Sequence, residues 1–321
     1  MSDETFQPTP EISSAAKTVR DSFVDGDCVI FLGAGAAKDK TKPDLPDANE
    51  LSAELTKELK LEWHESVPLA TAAFFYESLR TRAGLHKFLH DRIHRPEIEP
   101  SLTIDAVAEL SLLLQKQGKS VFVVTTNYDQ MFERAYRKLS GGNDPHVITY
   151  RGAISPHDRG AELYDGLQGK SPQFWRPRSN QTYLYKMHGC ISEAEGNKPK
   201  VVITEEDYVN FLANALHETG TRRILYELTS RMASFTTLFI GYSLTDWNFR
   251  VIFKATAEVT EDQPSFAIQY QSEETAAKEF ERQRWNAAVK FWERKYVTVL
   301  NCDAYQFVRY LIEQIPAAVP V

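Results

Sequence analysis

A histidine, an asparagine, an aspartate and two glycine turns stand in four short segments, each of which follows an apolar run. Phe31 to Ala36 reads Phe-Leu-Gly-Ala-Gly-Ala, and Thr125 to Asp129 reads Thr-Thr-Asn-Tyr-Asp. Lys186 to Gly189 reads Lys-Met-His-Gly, and Phe239 to Leu244 reads Phe-Ile-Gly-Tyr-Ser-Leu. Each residue type brings its own chemistry. Gly33 and Gly35 let the backbone turn sharply and approach a pyrophosphate, whose oxygens backbone amides can bind. Asn127 donates and accepts hydrogen bonds at once. Asp129 is an anion suited to a developing positive charge. Either Asn127 or Asp129 could instead cap a helix beginning near Gln130. His188, with an ordinary pKa of about 6.5, is suited to taking a proton at neutral pH, whereas an ordinary histidine is satisfied by a backbone carbonyl.

The elements that must position these residues alternate. Strand-like runs cover Cys28 to Leu32, Val121 to Thr125, His146 to Tyr150, Tyr183 to Met187, Leu238 to Ile240, Phe266 to Gln269 and Val297 to Leu300. Helical periodicity covers Asp129 to Leu139, Glu205 to Leu216, Thr221 to Ala233, Asp246 to Val259, Glu273 to Trp292 and Ala304 to Ile315. This alternation predicts an α/β fold with a doubly wound, mostly parallel sheet. In such a sheet the loops at the carboxyl ends of the strands gather at one edge, where ligands bind. Residues 48–119 hold helical stretches and no strand, and read as an inserted helical subdomain over that edge. Residues 151–182 are rich in Gly, Pro, Ser and Arg and read as a loop insertion. The predicted layout is a tail and lead-in helix over 1–26, then one domain over 27–321.

Composition narrows the function classes. The chain has 321 residues, 42% of them hydrophobic and 25% charged, as in an ordinary globular protein with a large core. Its net charge of −7 argues against direct, sequence-independent nucleic-acid binding. No apolar run reaches the ~20 residues of a membrane helix, and the acidic N-terminus is no signal peptide. The three cysteines, Cys28, Cys190 and Cys302, form no Cys-x-x-Cys pair and suit a reducing cytoplasm. Cys28 and Cys302 read as core residues, while Cys190 falls near the cleft.

The four segments, in order, resemble the sirtuin-type NAD-binding domain, and within it the sirtuin-like NADases of bacterial anti-phage defence. The likeness runs from about Asp27 to Ile315. It implies a Rossmann-like core with a small inserted domain. NAD+ would be the substrate, with Gly33, Ala34, Gly35, Ala36, Thr126, Gly241 and Ser243 against the dinucleotide and Asn127, Asp129 and His188 at the nicotinamide ribose. Pro43 to Leu51 resembles the loop that closes over that ribose. Deacylating sirtuins carry a zinc held by two Cys-x-x-Cys pairs; this chain has none, so no metal and no zinc ribbon are expected. The resemblance therefore implies hydrolysis of NAD+ to nicotinamide and ADP-ribose, depleting NAD in abortive infection. NAD-dependent protein deacylation, or non-catalytic sensing of NAD or ADP-ribose, is the alternative. It also implies an oligomer and a separately encoded activator: a HerA-type ATPase, a short Argonaute or a nucleotide-processing protein.

Other patterns carry less. The dehydrogenase fingerprint is incomplete, with Lys38 where a third glycine belongs. Thr204 and Asp207 read as a capping box. Asp246 and Asn248 could be caps, and Asn301 and Asp303 follow the last strand where adenine could lie. His86, His90 and His94 fall on one helix face; with Arg92 and Arg95 beside them, the expectation is a solvated face or partner contact rather than a metal site.

Overall fold

The computed structural model describes residues 6–26, 28–38, 43–60, 67–151, 162–165, 178–191, 201–216, 230–232, 234–242, 264–272 and 276–316. A lead-in helix, α1 (Pro10–Asp25), is capped by the Thr9 side chain with proline at its first turn. Strand β1 (Cys28–Leu32) follows, then a short 3-10 turn over Ala34–Ala37. Four helices come next: α2 (Ala48–Glu58), α3 (Leu69–Leu79), α4 (Arg82–Ile93) and α5 (Leu102–Lys116). The chain continues through β2 (Val121–Thr125), α6 (Met131–Leu139), β3 (His146–Arg151), β4 (Glu162–Asp165) and β5 (Thr182–Lys186). After α7 (Glu205–Leu216) come β6 (Thr237–Ile240), β7 (Ser265–Gln269), α8 (Glu279–Glu293), β8 (Val297–Asn301) and α9 (Ala304–Gln314).

These strands form one sheet in the order β4-β3-β5-β2-β1-β6-β7-β8. Every pairing is parallel except β3 with β4. The fold is thus α/β, Rossmann-like and doubly wound. Within the loop insertion expected over 151–182, β4 forms a short pairing at the sheet edge, in a stretch with no alternating apolar signal; most of the rest of that insertion lies outside the described residues. The helices expected over Thr221–Ala233 and Asp246–Val259 fall largely outside the described residues.

Register fixes the functional edge. Leu32 pairs with Thr125 and with Ile240, and Thr125 pairs with Lys186. One row across four strands therefore ends at the same height, and the next residue of each strand enters the same rim. Side chains alternate between faces as a strand requires. Cys28, Ile30 and Leu32 join a core with residues of α1, α5, α6 and α9, whereas Val29 and Phe31 join a second core with Phe211 of α7 and Trp292 of α8. Burying a side chain such as Phe31 contributes roughly 1.5–3 kcal/mol, which is why near-continuous apolar strands settle between two helical layers.

The stretch over 48–119 divides in two. Helix α5 packs under the sheet, with Ile104, Val107, Leu110 and Leu114 in the first core. Residues of α2, α3 and α4 form a separate cluster with Ile191, Val201 and Ile203. Only α2 to α4 therefore make a distinct layer, and α5 is the crossover helix that leads into β2.

Candidate functional site

At the rim, the two glycine turns pack against each other. The Gly33 amide donates to the Ile240 carbonyl at 2.9 Å, and the Gly35 amide donates to the Gly241 carbonyl at 2.9 Å. A Cβ on Gly33 would lie 2.5 Å from the Gly241 oxygen, and one on Gly241 would lie 2.0 Å from the Ala36 nitrogen. Gly241 also has φ of +68°, in the left-handed region that other residues resist. These glycines thus serve a backbone-to-backbone contact between β1 and β6. The Gly33 and Gly35 amides are both engaged by β6 in this way. Ala34 and Gly35 are exposed, Ala36 is buried, and the Ala36 carbonyl accepts from the Ser101 hydroxyl at 2.6 Å. Ser243 lies outside the described residues, as do Asp246 and Asn248. Thr126 accepts a hydrogen bond from the Tyr242 hydroxyl at 2.7 Å, which ties the β2 rim to the β6 rim.

The β2 loop carries Asn127, Tyr128 and Asp129, each half-buried. Asn127 does not cap a helix. Its Nδ2 donates to the Gly33 carbonyl at 3.2 Å, and its amide donates to Thr125 Oγ1 at 3.0 Å, so it bridges the first and second rims. Asp129 does act locally, because its Oδ1 accepts from the Met131 amide at 2.9 Å and secures the start of α6.

His188 follows β5 and is 4% exposed. Its Nε2 is buried with no hydrogen-bond partner. Tyr208 and Phe211 meet the ring edge-on at 5.1 and 6.0 Å between centroids, and the Tyr128 ring centroid is 6.4 Å away. Burial lowers its pKa to about 3, with Asp207 pulling weakly the other way. A poised base with an ordinary pKa is therefore not what the structure contains. The imidazole is neutral with an open polar atom, a group that accepts or donates a hydrogen bond without carrying charge. Gly189, at φ +83°, closes the tight turn after it, with its amide donating to the Lys186 carbonyl at 3.2 Å.

A lid segment braces this histidine. The Val202 amide donates to the His188 carbonyl at 3.0 Å, and the Tyr128 hydroxyl donates to the Val202 carbonyl at 2.7 Å. The Thr204 hydroxyl accepts from the Asp207 amide at 3.1 Å while Asp207 Oδ2 accepts from the Thr204 amide at 2.9 Å, so this pair is the expected cap. Arg82 of α4 donates to Asp207 at 2.8 Å, to Glu77 at 2.9 Å and to the Val201 carbonyl at 2.8 Å. Its Nε also donates to His86 Nε2 at 2.9 Å. Burial, then Arg82, lowers the His86 pKa to about 4. His86 is thus buried, correcting the expected solvated face. His90 and His94 stack on each other at 4.9 Å. Among the described residues no group of three His, Cys, Asp or Glu side chains is arranged to hold a metal ion.

Beneath the β2 loop lies a residue that motif reasoning passed over. Lys186 is the last residue of β5 and 1% exposed. Its Nζ donates to Glu133 Oε1 at 3.0 Å and to the Asp129 carbonyl. Burial works against the ammonium, but Cys190, Glu133 and Asp129 together hold its pKa above the usual lysine value. Burial raises Glu133 despite the ammonium beside it. The available signal was period: Leu184 faces the first core, so Lys186 must too, and a lysine in that position requires a partner. Asn301 and Asp303 bond locally, to the Gln271 amide at 3.0 Å and the Gln306 amide at 3.1 Å. Cys28 and Cys302 are buried thiols, the latter pushed up by burial to about 12.

The carboxyl edge of this parallel sheet thus carries an asparagine, an aspartate and a buried histidine on one rim. The sequence profile of the SIR2-like domain family matches residues 121–300, a stretch that includes Asn127, Asp129, His188 and Gly241. The chain belongs to the SIR2-like domain family, and with it to a class of NAD-using enzymes. No curated protein matches it. No helix among the described residues is long and apolar enough to cross a membrane.

Proposed function

We propose that this protein hydrolyses the nicotinamide–ribose bond of NAD+, releasing nicotinamide and ADP-ribose, as an NAD-depleting effector of anti-phage defence. The observation that carries this reading is the buried, unpartnered Nε2 of His188 beside the Asn127 loop. An apolar enclosure around an unsatisfied polar atom costs stability unless a ligand completes it, roughly 1–3 kcal/mol. A sugar hydroxyl or a water is the natural completion. NAD+ supplies an activated bond, because nicotinamide leaves as a neutral molecule and needs no acid.

The residues then have distinct tasks. His188 accepts a hydrogen bond from the ribose or its attacking water and, as a weak base, takes the proton only as the bond breaks. Asn127, anchored to Gly33 by one hydrogen, orients that water through its remaining oxygen and second hydrogen. Asp129 supplies negative charge near the developing cation. Fit is poorer on the diphosphate side, since the Gly33 and Gly35 amides are engaged with β6. That closure, with His188 almost wholly covered, favours an enzyme that opens on activation, by oligomerisation or by a separately encoded sensor such as a HerA-type ATPase, a short Argonaute or a nucleotide-processing protein. Incubation with NAD+ and chromatography for nicotinamide tests the reading, alone and with the activator. Release that requires an acylated peptide would favour deacylation, and binding of NAD+ without release would favour a sensor.

A further inference from the structure

We propose that the buried Lys186–Glu133 pair is a positioning device for the site, holding the Asn127–Asp129 loop after β2 at a fixed distance from His188, which follows β5. The inference deepens the hydrolase reading, although its structural half stands without it.

The argument begins with the geometry of one side chain. Lys186 is two residues before His188 on the same strand end. Its Nζ reaches sideways under β2 and donates to the backbone carbonyl of Asp129 and to Glu133 on the first turns of α6. One ammonium thus ties together the strand that delivers the histidine, the loop that delivers the asparagine and aspartate, and the helix that follows. Its neighbours in the loop are bonded in series: Asn127 amide to Thr125 Oγ1, Met131 amide to Asp129 Oδ1, Ile191 amide to the Tyr128 carbonyl. Loss of the central tie loosens every member of that chain.

Stability alone does not account for the pair. A buried ion pair offsets its own desolvation poorly, and apolar residues of similar volume often do as well or better. Here Glu133 is left with one carboxylate oxygen, Oε2, that is buried and has no partner. The pair lies where the first core meets the loop that carries the site residues. Asn127, Asp129, Glu133, Lys186 and Thr125 line one side of a small cavity closed by Leu32, Ile104 and Phe132, with room for about one water. A residue chosen only for packing would fill that space. A cation with fixed directions of donation instead sets the height of the loop.

The test separates positioning from folding. Lys186→Met alone strands a buried carboxylate and is expected to fold poorly, so the informative variant is Lys186→Met with Glu133→Leu, which removes both charges. Two measurements are made on the full chain. The first is amide hydrogen exchange, read against wild type. We expect exchange over residues 126–131 to rise at least tenfold in the double variant, with β1 and α5 unchanged and the thermal midpoint within a few degrees of wild type. The second is nicotinamide release in the activated protein, where kcat should fall at least a hundredfold and KM change little. Unchanged exchange in the loop would overturn the positioning role, whatever the protein does to NAD+. Raised exchange with wild-type kcat would equally overturn it, by showing that the loop's placement is immaterial to turnover. Should wild type release no nicotinamide even when activated, the hydrolase reading fails. The exchange result then still decides whether Lys186 and Glu133 hold the loop.

Discussion

Replacing His188 with asparagine should flatten the acid limb of the stability curve by one proton. In the folded state the imidazole is 4% exposed and its pKa is lowered to about 3, against an ordinary value near 6.5. Above the ordinary value neither state binds the proton, and folding is favoured in full. As pH falls below it, the unfolded chain takes up a proton that the folded chain refuses, so unfolding gains about 1.4 kcal/mol per pH unit. By pH 4 the deficit from this residue is roughly 3–4 kcal/mol, a large share of a typical domain's stability. His86, lowered to about 4, acts in the same direction over much of the same window. Urea titrations from pH 7.5 to 4 for wild type and His188→Asn measure the effect. The change in volume shifts the asparagine curve up or down, but only the lost proton changes its slope. Wild type should be steeper by about 1.4 kcal/mol per pH unit between pH 6 and 4. Parallel curves would show that the imidazole is solvated in the folded protein, and the neutral-histidine mechanism would lose its basis.

Three further outcomes follow from contacts at the rim. Thermal unfolding should rank Gly241→Ala as more damaging than Gly33→Ala, and Gly33→Ala more than Gly35→Ala, following the order of Cβ approach of 2.0, 2.5 and 2.9 Å. The left-handed backbone at Gly241 alone costs roughly 1–2 kcal/mol, and a reversed ranking would mean that the turns do not pack as described. Ser101→Ala removes the cap of α5 and the tie to the Ala36 carbonyl, and should cost about 1–2 kcal/mol by chemical denaturation. Arg82→Gln, which frees Asp207, Glu77 and the Val201 carbonyl, should raise amide exchange over 201–208 and lower stability by about 1–3 kcal/mol; unchanged exchange would show that α4 does not hold the segment over His188.

Strand placement was legible because parallel strands buried on both faces must be apolar throughout. Val121 to Val124 and Leu238 to Ile240 are such runs, and their ends marked the rim. Strand β4 was not legible, since Glu-Leu-Tyr-Asp is too short and mixed in type to show an alternating apolar pattern. The chemistry of individual rim residues was legible only in part. Asn127 and His188 stood out by type and position, but whether water reaches a histidine depends on Tyr208 and Phe211, which are twenty or more residues away in the chain. The glycines were noticed for close backbone approach, but that the opposing turn at Gly241 makes such an approach was not visible in the chain order. Lys186 was visible as a charge inside an apolar strand, yet its meaning lay in Glu133, whose burial follows only from how α6 docks. The composition of 48–119 could not separate α5 from α2 to α4, because both parts read as helical and only tertiary packing assigns them to different cores.

The account rests on catalysis by the Asn127–His188 pair, and nicotinamide release tests it most directly. Activated wild type should convert NAD+ to nicotinamide and ADP-ribose in equal amounts without any acylated peptide. Asn127→Ala and His188→Ala should each abolish release while remaining folded, and the double variant should be little worse than either, because both act on one transition state. Release at the wild-type rate from folded Asn127→Ala or His188→Ala protein would contradict the account.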